Sequence, residues 1–438
     1  MTNDNKTLYK AKLVDNTMYI IASWCFYIVN ISLMWAFWEN ISFLPMSFSI
    51  ASMGLFLCSG VFFLANIKHL NFIKHSVLCY ICFIIWSIIM IIAYNYCYSM
   101  HDKKNFLFFY MDSYALFFIR VFIIILPAMF FVDFNKMIAK KSTKFILLII
   151  VVSSAFFMAR AIQAHPDAVR ARATMEFLGY GDFLKGVPDY GQVYAMAIIF
   201  PVFLYKAKNS IKFEKFCYVI ILGLMAYIII FSQFATALII LIIGIFIYLF
   251  LSVKPSQKVF VGLLFLFFVL IVVFMDGGAD ILNWLSKHTV GAWSTKLRDM
   301  ASSLSGRQDS GMVSSRVDLY NESFKSFLAS PIFGKFIESS GDIGGHATNI
   351  DILGLAGLFG FSFWALTIYF NYVRMVKFCT TKDAKVVVIT CTIQFILLAS
   401  LKNIISAMAI FLAFFVIIPA FIKSTNTEEK KESSYESY

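Results

Sequence analysis

The side chains with the clearest chemical potential in this sequence are arginines and one histidine that stand beside long apolar runs. Arg170 and Arg172 lie two residues apart, near the middle of a polar stretch that begins at Arg160 and ends near Asp189. Arg316 opens Arg-Val-Asp-Leu-Tyr, whose spacing predicts a short amphipathic helix through Phe324, Phe327 and Leu328, ended by Pro331 and Gly334. A guanidinium is planar, always charged and donates through a fixed fork that suits phosphate, whereas lysine acts as a point charge. His346 follows Gly344-Gly345 and stands just before an apolar run. An imidazole titrates near neutrality without perturbation, so His346 could take a proton from a sugar hydroxyl as a general base. It could equally serve as an interfacial helix cap. Arg120 is the one arginine well inside an apolar run, where a charge must face protein or a wet cavity. It reads either as a site residue or as the structural partner of a carboxylate such as Asp112.

The elements that must hold these residues are membrane spans. Of 438 residues, 60% are apolar and 14% are charged, against about 45–50% and about 25% in soluble domains. A soluble enzyme, a disordered chain and a disulfide-stapled secreted domain are excluded. Apolar runs long enough to cross a bilayer fall near 18–37, 47–66, 76–94, 113–132, 145–160, 190–205, 216–231, 235–252, 259–275, 348–371, 386–401 and 404–422. Backbone groups cannot stay unpaired in lipid, so each run is expected to be a helix. The fold class is an all-α polytopic membrane protein with about twelve transmembrane helices. The chain 1–438 reads as a single integral membrane domain.

Lysine and arginine placement orients the spans. With the N-terminus (Lys6, Lys10, Lys12) inside, the connections around Lys68, Lys140, Lys208, Lys254 and Arg374 to Lys385 are cytoplasmic, and so is the polar tail 423–438. The net charge of +12 is then a topology signal, and no nucleic-acid partner is implied. The first run is too long for a cleaved signal peptide and is expected to be a signal-anchor span. Two outward loops, 160–189 and 276–347, exceed what a connector needs. Both are basic on the side where basic residues are disfavoured, which points to an anionic ligand. Cys79 and Cys82 form a CxxC within a span, which reads as helix packing. Gly354, Gly357 and Gly360 read as a helix-packing seam. No metal cage is legible in the spacing of Asp309, Asp318 and Asp342.

These residues together resemble a family. Arg316-Val-Asp-Leu-Tyr, Ser330-Pro331-Ile332-Phe333-Gly334, Gly345-His346-Ala347-Thr348-Asn349-Ile350-Asp351-Ile352-Leu353 and Gly357-Leu358-Phe359-Gly360 resemble the O-antigen ligase and polymerase superfamily, most of all the Wzy-type repeat-unit polymerases. In that family an external arginine starts a surface helix, a Pro-x-x-Gly turn follows, and a histidine precedes a span. The family's Ser-Arg pair between the seventh and eighth spans is missing here, where the turn reads Ser232-Gln233-Phe234-Ala235-Thr236-Ala237. Arg160, Arg170, Arg172 or Arg120 would have to replace that contact.

The resemblance implies a GT-C-like glycosyltransferase architecture with two large periplasmic loops in the bacterial inner membrane, both termini cytoplasmic and the active site facing the periplasm. It implies an O-antigen polymerase of lipopolysaccharide biosynthesis, inverting and metal-independent, with no cofactor. The enzyme would transfer a glycan chain from undecaprenyl diphosphate to a hydroxyl of another lipid-linked repeat unit. In it His346 would be the base and Arg316 would stabilise the leaving diphosphate. Arg170 and Arg172 would hold the outer phosphate, with Arg160 and Arg120 as further substrate contacts. Partners implied are the undecaprenyl-diphosphate-linked oligosaccharide, membrane lipids, a chain-length regulator and a flippase of the same pathway. The alternatives are a ligase that moves O-antigen to lipid A–core, and a lipid-linked oligosaccharide flippase or other transporter.

Overall fold

A computed structural model describes residues 140–164, 190–253, 277–289, 312–334, 343–405 and 407–422, with scattered residues between 75 and 89, 257 and 262, and 294 and 302. Among the described residues all regular structure is helical. In chain order the helices are α1 (Lys140–Ala164), α2 (Tyr190–Asn209), α3 (Lys212–Phe231), α4 (Ala235–Ser252) and α5 (Gly277–His288). Then come α6 (Met312–Ala329), α7 (Thr348–Lys377), α8 (Lys382–Leu401) and α9 (Met408–Leu412), which continues through a π-helical segment (Ala413–Ile417) into α10 (Ile418–Ile422).

Four of these, α3, α4, α7 and α8, are long and apolar enough to cross a membrane. Their surfaces fit lipid as solvent: α3 leaves Phe213, Phe216, Val219, Ile220 and Phe231 exposed, a contiguous apolar face that water would penalise. In contrast, every residue of α2 from Gly191 to Phe203 is buried, as expected of a helix that is apolar all round. The core lies where α2 meets α8 and the α9–α10 run. There the Phe395 and Phe414 rings stack at 4.1 Å, flanked by Phe411, Phe415 and Trp364.

Few polar groups enter this core, and those that do tie helices together. Gln394 on α8 donates from Nε2 to the carbonyls of Ala197 (3.2 Å) and Ile240 (2.9 Å), joining α8 to α2 and α4. Gly244 leaves the room for that side chain. At the far end of the same antiparallel pair, Lys208 meets Asp383 at 2.6 Å, and this hydrogen bond holds the ammonium above its ordinary pKa. A π turn leaves carbonyls without their usual partners. Here Phe414 O accepts from Asn371 Nδ2 (3.4 Å) and Phe415 O accepts from Arg374 Nη2 (2.9 Å). Arg374, expected in a cytoplasmic connection, is therefore a buried residue of α7, 3% exposed.

The larger correction concerns the run 348–371. It is not one straight span: α7 breaks at Gly357, whose φ of 60° and ψ of −166° are non-helical. Fifteen residues of continuous helix would separate Asn349 from Trp364 by about 22 Å. Instead the halves fold back far enough for Trp364 Nε1 to donate to Asn349 Oδ1 at 2.9 Å. The segment 358–377 is left as the longer half, and 348–356 folds against it. The freed N–H groups of Leu358 and Phe359 are taken by the carbonyls of Pro331 (2.8 Å) and Ile332 (3.0 Å). Gly334, with φ of 75°, packs its backbone directly on that of Gly357. The Pro-x-x-Gly turn thus caps the second half of α7, and Gly357 is a hinge residue of the chain path rather than part of a smooth seam. Gly354 and Gly360 do sit in tight contacts, against the Ser323 carbonyl and the Trp86 ring.

A Cβ at Gly357 would meet the backbone of Ile332 and Gly334. Gly357→Ala is expected to destabilise by about 2–4 kcal/mol, combining left-handed strain with overpacking. Gly223→Ala, where a Cβ meets nothing within 4 Å, is expected to be neutral or stabilising by up to about 1 kcal/mol. Thermal unfolding of the two variants in detergent measures the difference, and an equal response would refute the broken-helix account.

Candidate functional site

The site assembles where α6 lies against the start of α7. Sequence builds α6 with two unlike faces. Ser323 and Ser326 are buried, while Val317, Phe324 and Leu328 are exposed. Small residues on the inner face permit close approach: the Leu319 carbonyl lies against Gly344 and the Ser323 carbonyl against Gly354. The outward apolar face suits a helix lying at a membrane surface. Tyr320 Oη donates to the Leu401 carbonyl at 3.0 Å, pinning α6 to the end of α8.

Between α6 and α7 runs the segment Ile343–Ala347, whose backbone is held at Gly344, Gly345 and Ala347. Ser323 Oγ accepts from Gly344 N at 3.0 Å and donates to Asp351 Oδ1 at 2.7 Å. Asp351 Oδ2 accepts from Ala347 N at 3.0 Å, and the same carboxylate accepts from the Gly345 amide. The Gly345 carbonyl accepts from Asn403 Nδ2 at 3.0 Å. Thr348 ties this end of α7 to the turn after α8, donating from N to Lys402 O (3.2 Å) and accepting at Oγ1 from Ile404 N (2.8 Å). Gly345 has φ of 68°, a left-handed conformation that glycine adopts without steric cost.

His346 stands in the middle of this clamped segment with an exposed side chain. The N-cap of α7 is Ala347, without a side-chain cap, so His346 is one residue outside the cap position. Arg316 lies in α6, where the backbone is described. It precedes Ser323 by seven residues, which puts it on the same helix face by register, about 10 Å nearer the N-terminus. Arg160 is exposed near the end of α1, a helix whose main neighbours are α3 and α10. Arg120, Arg170 and Arg172 lie outside the described residues.

Asp351 and Ser323 were not singled out as site residues by the sequence reading. A signal existed for Asp351, because an acidic residue at the start of an apolar run is as costly as the arginine at 120 and demands partners. Ser323 carries no such signal, since its role depends on which residues of α6 face inward. Among the described residues no three His, Cys, Asp or Glu side chains are grouped as a metal site would need. Beside the site, Asn349 lines a mostly apolar groove of about 370 Å³ between α7 and α8, with Trp364, Ile368, Tyr372 and Ile396. Asn349 itself is fixed by Ser400 Oγ (2.8 Å) and the Ile396 carbonyl (3.2 Å). The chain matches no family model and no curated protein.

Exposure at 346 and burial at 351 can be read separately. In a background without the native cysteines, His346→Cys is expected to react with a membrane-impermeant maleimide applied to the outside of intact cells, whereas Asp351→Cys is not. Labelling at 346 only after lysis would place the site on the cytoplasmic side.

Proposed function

We propose that this protein is a membrane glycosyltransferase of the O-antigen polymerase type. In this reading a glycan chain moves from a polyprenyl diphosphate to a hydroxyl of another lipid-linked repeat unit at the periplasmic face. The architecture belongs to the same reading: about twelve spans, GT-C-like, in the bacterial inner membrane. The observation that carries it is the clamped Gly344–Ala347 segment, which presents an exposed imidazole and is tied by Ser323 to α6, the helix that carries Arg316.

The chemistry needs little beyond these parts. The acceptor oxygen attacks the anomeric carbon, and its proton passes to neutral His346. The bond from the anomeric carbon to the diphosphate oxygen breaks, and the electron pair leaves with the polyprenyl diphosphate. That leaving group is already a stable anion, so no proton donor is required. What lowers the barrier is positive charge aimed at the oxygen as the bond breaks, the role given to Arg316. Displacement in one step inverts the anomeric carbon. Arg170, Arg172, Arg160 and Arg120 remain the candidates for the outer phosphate, and the apolar groove beside Asn349 suits hydrocarbon better than sugar.

A ligase would share the donor half of this chemistry and differ only in its acceptor. The transporter alternative gains one observation, the interrupted α7, since broken helices line substrate sites in many transporters. Against it, the amides of Leu358 and Phe359 at this break are already occupied by Pro331 and Ile332 carbonyls.

Purified protein supplied with lipid-linked repeat units is expected to yield a ladder of lengthening products. His346→Ala is expected to lower the transfer rate by about 10²–10⁴-fold, and Arg316→Ala by about 10²–10³-fold. Arg316→Lys is expected to fail similarly if a bidentate phosphate contact is required. A full-rate ladder from folded His346→Ala protein would remove the general-base assignment. Transfer to lipid A–core without repeat-unit ladders would instead identify a ligase.

A further inference from the structure

We propose that Asp351, acting with Ser323, is the positioning group that fixes His346 for proton transfer. The proposal rests on the reading of His346 as the base. The two side chains make one buried unit, 1% and 0% exposed, joined by the 2.7 Å hydrogen bond from Ser323 Oγ. That unit binds the amides of Gly344, Gly345 and Ala347, the residues on both sides of the histidine. His346 is thus a residue with an exposed side chain on a backbone held from within the protein. Such an arrangement limits where an imidazole can point by fixing the backbone that carries it.

Asp351 is not placed to do the chemistry directly. Both carboxylate oxygens are engaged by donors from Ser323 and the loop amides, and the residue is closed to solvent. A substrate hydroxyl has no edge of it to approach. Neither is the carboxylate needed merely to join α6 to α7: Tyr320 anchors α6 independently, and the Pro331–Gly334 turn joins the end of α6 to the break in α7. What the carboxylate uniquely supplies is several acceptor sites in one place, for the Ser323 hydroxyl and the Gly345 and Ala347 amides. An amide side chain has one oxygen and cannot serve them all.

Asp351→Asn isolates this property at nearly constant volume, and Ser323→Ala removes the link to α6. Two measurements on the full-length protein separate positioning from general damage. Hydrogen exchange of the peptide covering 343–348 is expected to speed up about tenfold in Asp351→Asn, with α2 and α8 peptides unchanged. Transfer kinetics per folded molecule are expected to show kcat falling about 10- to 100-fold with KM for the acceptor within about twofold. Ser323→Ala is expected to show a smaller change in the same direction. Thr390→Val, which removes a buried α8 hydroxyl bonded to the Val386 carbonyl at 2.9 Å, is expected to keep wild-type kcat. Faster exchange with unchanged kcat would overturn the positioning role, as would unchanged exchange in both variants. If Asp351→Asn does not fold, a wild-type kcat in Ser323→Ala overturns it. Full activity in His346→Ala strikes instead at the reading beneath, and is scored on that variant alone.

Discussion

A backbone amide or carbonyl away from water must find a partner inside the protein, and the region where α6 meets α7 is organised by that demand. Two places in α6–α7 depart from regular helix: the Ile343–Ala347 segment and the break at Gly357. Each would strand donors if nothing answered it. The first is answered by side chains, Ser323 and Asp351, and the second by carbonyls, Pro331 and Ile332. All four come from α6, its following turn or the first half of α7. A buried unsatisfied amide costs about 1–3 kcal/mol, so these pairings together outweigh any single apolar contact nearby. The α6 helix is therefore more than a surface ornament, because Ser323 and the turn after α6 supply the partners of the Gly344, Leu358 and Phe359 amides.

This arrangement also explains how an exposed side chain can be placed with precision on a loop at the protein's edge. Loops at such an edge have little apolar burial to order them. Here the order comes from a short polar network sunk beneath the loop, with glycines at 344 and 345 permitting the approach and the left-handed turn. The side chain that emerges, His346, is left accessible while its backbone is not. On the proposed reading that combination is what a general base for a sugar hydroxyl requires: reach into solvent-exposed substrate, and little freedom to wander from the line of attack.

Much of this was legible in the residues, but unevenly. The amphipathic spacing after Arg316 located α6, and Pro331 and Gly334 marked its end correctly because their backbone constraints are intrinsic to their chemistry. The structure begins the helix four residues earlier, at Met312. Gly357 does pack closely, but the break there was missed, since a glycine three residues from its neighbours is equally compatible with close helix packing and with a positive φ. Only the contact with Gly334, distant in sequence, decides between them. The burial of Arg374 was not legible either: a basic residue near a span end looks solvated until a π turn supplies carbonyls to bury it. Asp351 was visible in the motif, yet its role depends on Ser323, whose inward orientation no periodicity of a helix with exposed Phe324 and Leu328 reveals.

The interrupted α7 bears on the choice between moving a lipid-linked glycan and reacting with it. A transport site at a broken helix uses the freed backbone dipoles themselves to hold the substrate, so those groups must stay open. In this protein they are closed by an internal turn whose glycine is packed against the break. Opening them would require withdrawing the Pro331–Gly334 turn, and with it the end of α6 that carries Ser323 and the seat of the His346 loop. The break therefore behaves as an anchor, holding the surface helix and the loop in one fixed relation. On the proposed reading, a fixed relation between the helix that carries Arg316 and the His346 loop serves bond-breaking chemistry better than a cycle of alternating access.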